Sequence, residues 1–213
     1  IIDDLSGNFM KKDSVINFSN SKIIFGESII NGDLNLDYSD IKSSNLASKD
    51  FLNSLQFDVL INDSQIVSTD IGQLFSSFET NYKETWMIKS EISGYLNDLE
   101  IRKWFLSNKK NNIELDCKIT NILDEDYSVI FDILEFNVDS KEINKAFPNF
   151  FGSILPSSLR SFGRFNIDGL ISVNPDDVKS KFNFQTKQGL LISDLNIFDF
   201  KNIDNASSVS YTH

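Results

Sequence analysis

Apolar and polar residues alternate over most of the chain, which is typical of β-strands with one face buried and one face in water. The clearest run lies between Ile30 and Tyr38, where Ile30, Leu34 and Leu36 alternate with asparagine and aspartate. Similar runs recur as far as Ile197, separated by short segments rich in Gly, Asn, Asp and Ser. The pattern predicts a mainly β protein.

Two stretches have helical spacing instead of alternation. In Asp70–Phe78 apolar residues recur every three or four positions, and Asp70 is placed to cap a short helix. In the second stretch the sequence predicts an N-cap at Asp139, a capping box completed by Glu142, and a helix end at Pro148. An apolar run then leads to a second proline. We expect a short helical insert in a chain of strands.

Two further segments bear on how the sheet is covered and where it ends. Between Tyr127 and Val138 both alternating sets are apolar, so we expect this strand to be covered on both sides. The predicted faces are Ile130, Leu134, Phe136 and Val138 on one side and Val129, Phe131 and Ile133 on the other. After Ile197 the polar run DFKNIDNASS predicts a loop that leads to a strand beyond the chain.

A short motif recurs four times in the order apolar, polar, Gly, any residue, apolar. Its glycines are Gly7, Gly32, Gly94 and Gly169. Glycine weakens a strand interior, and it is used where a sheet bends or a neighbouring chain comes close. The motif therefore favours a long, curved antiparallel sheet over the alternative of chance glycines near strand ends. Its irregular spacing does not support a strict solenoid.

Charge and composition narrow the classes of function. The formal net charge is -11 and the sequence pI is about 4.5, which disfavours nucleic-acid binding. Cys117 is the only cysteine and lies on the apolar side of an alternating run, so we expect a buried structural thiol. His213 is the only histidine. These counts exclude a Ser-His-Asp triad, a Cys-His pair and a His-ligated zinc site within the chain.

The enzymatic alternative is a carboxylate-based glycosidase, because Asp and Glu are plentiful. Its candidates Asp124, Glu125 and Asp126 form a run that is more simply explained as a solvated loop. Neither this run nor Asp176 and Asp177 has EF-hand spacing, so no Ca²⁺ site is assigned. We expect no enzymatic activity, no metal and no cofactor.

Four specific blocks lie in the C-terminal third: FPNFFGSILPSSL (Phe147–Leu159), GRFNIDG (Gly163–Gly169), GLLISDL (Gly189–Leu195) and NIDNA from Asn202. Together they resemble the TamB proteins of Bacteroidota, within the AsmA-like superfamily. The first two-thirds of the chain is similar to that family only in having strands of the type L-S-G-x-F, such as Leu5-Ser-Gly-Asn-Phe.

The resemblance implies a fragment of a long envelope protein, anchored in the inner membrane of a Gram-negative bacterium. Its β-rich body would cross the periplasm as an elongated, taco-like β-groove, apolar inside and polar outside. The family is associated with phospholipid transfer between the two membranes and with outer-membrane biogenesis alongside a barrel partner of the TamA/BamA type. One domain would then comprise groove strands at 1–138, a helical insert at 139–162 and continuing strands at 163–213.

The family offers no catalytic residues, so the candidate site is a surface that would contact acyl chains. The residues predicted to line it are Leu34, Leu36, Phe57, Val59, Phe165, Ile167, Ile171, Phe182, Phe184, Leu191 and Leu195. The same alternation also builds a closed β-sandwich core, so the sequence leaves open whether the face is accessible. The alternative function is a β scaffold that binds no lipid and assembles outer-membrane proteins through its edge strands.

Overall fold

A single antiparallel sheet of twelve strands contains most of the described chain, and its strand order is the order of the sequence. The computed structural model describes residues 2–39, 41, 53–122, 124–149 and 163–198, together with the backbone of 207–212. The strands are β1 (Asp4–Lys12), β2 (Val15–Phe25), β3 (Ser28–Asp37), β4 (Gln56–Val67), β5 (Thr85–Tyr95), β6 (Asp98–Ser107), β7 (Asn112–Thr120), β8 (Ser128–Asp139), β9 (Arg164–Val173), β10 (Asp177–Thr186), β11 (Leu190–Phe198) and β12 (Ser207–Thr212).

The sheet is curved and does not close, because β1 and β12 each pair with one neighbour only among the described strands. Every other strand pairs with the strand before it and the strand after it. The expectation of a mainly β fold, with a curved antiparallel sheet forming a groove and a short helical insert, is confirmed. The expected strand beyond the chain is corrected: the chain itself returns to form β12, which pairs with β11.

A line of β-bulges crosses the sheet from β1 to the β8–β9 pair. Register shifts fall between Ser6 and Asn8, Phe18 and Ser21, Ile29 and Gly32, Ile61 and Ser64, Lys89 and Glu91, Ile101 and Trp104, Glu114 and Leu115, and Ile133 and Phe136. A bulge bends its strand and increases the local twist. Because these bulges lie beside one another on neighbouring strands, they bend the sheet along one line, which we name the crease.

The same kind of hydrogen bond to an aspartate side chain stabilises two of the bulges. Asn20 in β2 and Lys103 in β6 both have left-handed backbone conformations, with φ of 51° and 52°. Each donates its N–H to an aspartate on the next strand, Asp33 Oδ1 in one case and Asp116 Oδ1 in the other, both at 2.7 Å. The carboxylates satisfy backbone donors that the bulges release from the ladder.

The recurring motif places its glycines where neighbouring backbones come too close for a side chain. A Cβ on Gly32 would lie 2.0 Å from the Leu60 carbonyl oxygen, and one on Gly169 would lie 2.2 Å from that of Lys181. Gly169 also has φ of 141°, a conformation that other residues rarely adopt. The prediction that these glycines mark close approach is confirmed at both positions.

A first helical segment, α1 (Ser68–Leu74), joins β4 to β5 and differs in two ways from the prediction. Phe75 is extended and separates α1 from a 3₁₀ turn at Ser76–Phe78, so the helix does not run to Phe78. Asp70 is not the cap, since Val67 holds that position without a side-chain hydrogen bond. Instead, Asp70 Oδ2 accepts hydrogen bonds from the Glu27 N–H (2.8 Å) and the Ser28 hydroxyl (2.7 Å). It ties α1 to the β2–β3 turn.

The second helix, α2 (Ser140–Ala146), joins β8 towards β9 and follows the predicted N-cap. Asp139 Oδ1 accepts from the N–H groups of Lys141 (3.0 Å) and Glu142 (3.3 Å). The prediction of a capping box is wrong, because the Asp139 N–H donates to Asn111 Oδ1 at 2.7 Å and not to the Glu142 carboxylate. The Glu142 carboxylate has other partners, which are described below. The predicted insert from 150 to 162 lies outside the described residues.

The faces of β8 were also predicted wrongly, and the bulge after Ile133 explains why. It inverts the alternation, so Phe136 and Val138 lie on the same face as Val129, Phe131 and Ile133. Ile130 and Leu134 lie on the other face, where they are 36% and 52% exposed. In the described part of the chain, β8 is therefore not covered on both sides.

The close approach at Gly32 generates a stability prediction. We expect Gly32→Ala to lower the free energy of unfolding by about 2 kcal/mol or more, because the added methyl group collides with a backbone that is held in a ladder. Urea denaturation followed by circular dichroism measures this. Gly189→Ala is a comparison without a collision: its Cβ meets no atom within 4 Å, although its φ of 157° strains any side chain. A Gly32→Ala variant with the stability of the wild type would contradict the collision.

Candidate functional site

One row of direct cross-strand partners crosses eleven strands on a single face. From β1 to β11 its members are Phe9, Phe18, Leu34, Val59, Ile92, Ile101, Cys117, Phe131, Ile171, Ser180 and Leu195. Directly opposed residues in an antiparallel sheet share a face. At about 4.8 Å per strand step, the row extends for roughly 48 Å across the strands. We name the face that carries it the apolar face.

All eleven residues predicted to line the surface lie on the apolar face. Leu34, Val59, Ile171 and Leu195 belong to the row itself. The others flank it on both sides along the strands: Leu36 and Phe57 form one cross-strand pair, and Phe184 is directly opposite both Ile167 and Leu191. Phe182 opposes Gly169, and Phe165 opposes Val138. The fold thus brings the predicted residues onto one face, but Phe165 and Phe184, 1% and 8% exposed, belong to the hydrophobic core.

The two faces of the sheet differ sharply in charge. Among the described residues of β2–β11, those that the register places on the apolar face include no Asp, Glu, Lys or Arg. Surface ion pairs such as Lys89–Asp63 (2.5 Å) and Lys103–Glu91 (2.6 Å) lie on the opposite, polar face. A depression of about 520 Å³ beside these pairs has Asp63, Lys89, Glu91, Lys103 and Glu114 in its lining, together with uncharged residues such as Leu60 and Phe105.

Burial changes along the strands of the apolar face. Near the ends that carry the helices, Trp86, Ile113 and Val138 are fully buried and Phe165 is 1% exposed. In the row and beyond it, Leu34, Phe57, Val59 and Ile171 are only half-buried, whereas Leu191, on the helix-carrying side of the row in β11, is 43% exposed. These aromatic and aliphatic side chains keep part of their surface exposed in the part of the chain that the structure describes, and we name this part of the surface the open half of the apolar face.

Helix α2 covers the other half by placing apolar side chains on the sheet. Ile143, Ala146 and Phe147 are buried in one cluster with sheet residues. The Phe147 ring lies 5.4 Å from that of Trp86 and 5.8 Å from that of Phe78, so it contacts both the sheet and the 3₁₀ turn. Aromatic pairs at these separations add to the stabilisation that burial provides. The helix is thus part of the hydrophobic core on this side.

A polar cluster around Glu142 holds α2 in place. The Tyr82 hydroxyl donates to Glu142 Oε2 at 2.9 Å, and the Lys110 and Lys145 ammonium groups lie 3.3 Å and 3.5 Å from its oxygens. The hydrogen bond from Tyr82, helped by both lysines, lowers the pKa of Glu142, while partial burial opposes the shift. The same bond raises the pKa of Tyr82. Thr80 adds a hydrogen bond to the Lys145 carbonyl at 2.8 Å. We name these contacts the α2 latch.

Seven members of the row were not predicted to line the candidate surface: Phe9, Cys117 and Ser180, and four residues of interior strands. Phe18, Ile92, Ile101 and Phe131 lie in predicted strands but were not assigned to it, although each directly opposes another row member. The signal that was available is their alternation in the sequence. What was lacking is the cross-strand register, which decides that these strands share one face.

Cys117 is buried as predicted, 5% exposed, in the middle of the row. Burial raises the pKa of its thiol, which makes it a poor nucleophile. Within the described ranges no group of three or more His, Cys, Asp or Glu side chains is arranged to hold a metal ion. In the same part of the chain no helix has the length and hydropathy required to cross a membrane.

The fold and this face define a class of structure: a mainly β protein with one curved, unclosed antiparallel sheet whose apolar face carries no charged residue from β2 to β11. Comparison of the chain with known protein families, with curated proteins and with solved structures finds no match. The resemblance to TamB proteins therefore stays an expectation from sequence.

The α2 latch generates a prediction about pH. Because the folded-state pKa of Glu142 lies below its ordinary value of 4.5, its stabilisation is present at neutral pH and is lost as the pH falls below 4.5 through the folded-state pKa. We expect Glu142→Gln to lower the unfolding free energy at pH 7 by about 1 kcal/mol. The deficit should shrink towards zero as the pH falls below 4.5 and through the folded-state pKa.

Thermal unfolding from pH 3 to pH 8 checks this expectation. Glu100→Gln serves as the control, since Glu100 lies exposed on the polar face away from α2. A Glu142→Gln deficit that stays constant over the whole pH range would exclude the ionised carboxylate as the source of the stabilisation.

Proposed function

We propose that this chain is a segment of an AsmA-like, TamB-type protein that holds phospholipid acyl chains on its apolar face. The observation that carries the proposal is the row of cross-strand partners, which runs uncharged across β2–β11 and in which Leu34, Val59 and Ile171 are only half-buried. An acyl chain lying along the row would contact successive strands. Each methylene moved from water to this surface contributes about 0.8 kcal/mol.

The groove has the features that passage of a lipid requires. Its axis runs across the strands, from the β1 edge to the β12 edge, so neither the hairpin turns nor the line of bulges crosses that path. The charged polar face keeps the outside of the sheet in water. Transport of this kind needs an apolar track and no reactive side chain, which agrees with the expectation that the chain is not an enzyme.

The wider setting is part of the same proposal and rests on the resemblance to TamB proteins. In that setting the parent protein is anchored in the inner membrane, the segment lies in the periplasm, and phospholipid moves between the inner and outer membranes. A barrel protein of the TamA/BamA type would receive the far end of the groove. The covered half, closed by α2, would orient bound chains towards the open half.

The scaffold alternative has one observation in its favour, the exposed edge strand β1. A scaffold that assembles outer-membrane proteins would use edge strands and would not need a half-buried uncharged face of this extent. The two functions differ in whether lipid occupies the protein after gentle purification.

Lipid occupancy is the test. We expect native mass spectrometry of the purified segment to show bound phospholipid, confirmed by lipid extraction from the same sample. Phe182→Asp or Leu34→Asp should reduce occupancy at least about tenfold, because each places a charge on the surface that contacts the acyl chain. A protein free of lipid that still melts cooperatively would overturn the proposal and favour the scaffold.

Matched controls come from the polar face. Leu60 and Leu170 are 37% and 48% exposed there, on strands that also contribute residues to the row. Leu60→Asp and Leu170→Asp add the same charge on the other side of the sheet, so we expect occupancy close to that of the wild type. Equal loss in these controls would show that the effect arises from the added charge and not from its position.

A further inference from the structure

A small depression lies on the polar face of β8–β10, near the strand ends that carry α2. It has a volume of about 250 Å³, and its polar lining residues are Asn137, Arg164, Asn166, Gln185, Thr186 and Lys187. None of the described residues that line it is Asp or Glu, although the chain as a whole has a formal net charge of -11. We name this site the basic depression.

Three amide side chains lie side by side in the basic depression. Asn166 is the direct cross-strand partner of both Asn137 and Gln185, so the three residues share the polar face. Asn166 Oδ1 is buried and has no hydrogen-bond partner, so the end of this amide that meets solvent is Nδ2, a donor. The Gln185 side chain is exposed. The amides of Asn166 and Gln185 can therefore both donate into the depression.

Arg164 is held in one orientation beside these amides. Its Nη1 donates to Asn137 Oδ1 at 2.8 Å, and its Nη2 donates to the carbonyl oxygen of Lys110. Both acceptors are neutral, so they fix the guanidinium without compensating its charge, and its other N–H groups remain available. A guanidinium presents its donors in a planar fork that matches the oxygens of phosphate and carboxylate groups.

The carboxylates near the basic depression accept hydrogen bonds from other groups. The register sets Asp139 opposite Arg164, but Asp139 Oδ1 accepts the N–H groups at the start of α2. Glu135 and Asp168 accept hydrogen bonds from asparagine side chains. Within the described ranges, neither Arg164 nor Lys187 forms an ion pair with a carboxylate.

Lys187 brings a second cation to the same end of the β9–β10 ladder. The last pair of that ladder is Phe165 and Thr186, and Arg164 comes directly before the first while Lys187 comes directly after the second. Like charges on neighbouring strands repel each other. An anion in the depression would remove this repulsion and would accept hydrogen bonds from the two cations and the amides.

We propose that the basic depression binds a phosphate group, with Arg164, Lys187, Asn166 and Gln185 as the donors to its oxygens. Two cations and two amides fit phosphate better than a carboxylate, which has fewer oxygens and a single negative charge. Free inorganic phosphate and a lipid headgroup offer the same chemistry, so both are tested. The site lies on the polar face, and it goes beyond the proposed function because it does not involve the acyl-binding surface.

Titration with inorganic phosphate, followed by NMR of the side-chain amides, tests the proposal. We expect saturable shifts of the Asn166 and Gln185 amide signals, and no such shifts with sodium chloride at the same ionic strength. Arg164→Gln and Lys187→Gln should each weaken phosphate binding at least about fivefold, because each removes a charge-assisted donor. Lys181→Gln is the matched control, since it removes the same charge from an exposed position on the polar face of β10.

Glycerophosphoethanolamine, a phospholipid headgroup without acyl chains, separates the two sources of phosphate. Tighter binding of this diester than of inorganic phosphate assigns the site to a lipid headgroup, and the reverse order assigns it to free phosphate. The proposal is overturned if neither probe saturates, or if Lys181→Gln weakens binding as much as Lys187→Gln does. Both probes lack acyl chains, so their failure to bind would leave the test of lipid occupancy on the apolar face unaffected.

Discussion

The structure depends on cross-strand register, because the register alone keeps apolar side chains of eleven strands on one face. A shift of a single residue in any pair would turn the whole following strand over. The bulges make this constraint more demanding, since each inserts a residue and changes which positions face inward. The sheet meets it with specific contacts at the crease: Asp33 and Asp116 accept the bulged N–H groups, and Gly32 admits the neighbouring backbone.

The two halves of the apolar face contain the same kinds of side chain but differ in how far these are buried. Where α2 and the 3₁₀ turn cover it, the face is an ordinary core, with Trp86 and Phe165 withdrawn from water. Where no described element covers it, the same kinds of side chain are half-buried. The fully buried apolar side chains therefore lie at one end of the strands, and the other end keeps an apolar surface that is only half-buried.

Much of this arrangement follows from sequence because it is local. The two-residue period predicts the strands, Asp139 predicts the start of α2, and the motif glycines predict close approach. Positions that depend on distant partners do not follow. The alternation predicts that Leu134 shares a face with Phe136, but the bulge places the two side chains on opposite faces. The sequence also predicts that Glu142 completes a capping box, which it does not. Its actual partner, Tyr82, lies 60 residues earlier in the chain, and no local pattern connects the two.

The agreement between strand order and chain order also has a consequence for how the protein forms. Each hairpin can pair as soon as its own two strands exist, without waiting for a distant segment. Each pairing therefore closes only a short loop, and its cost in conformational entropy is small. The sheet can therefore grow from its first hairpin onward while synthesis continues. One long-range exception is the contact of α2 with Tyr82, which joins elements on either side of four intervening strands. We expect this contact to form after the strands have paired and to stabilise the sheet that they make.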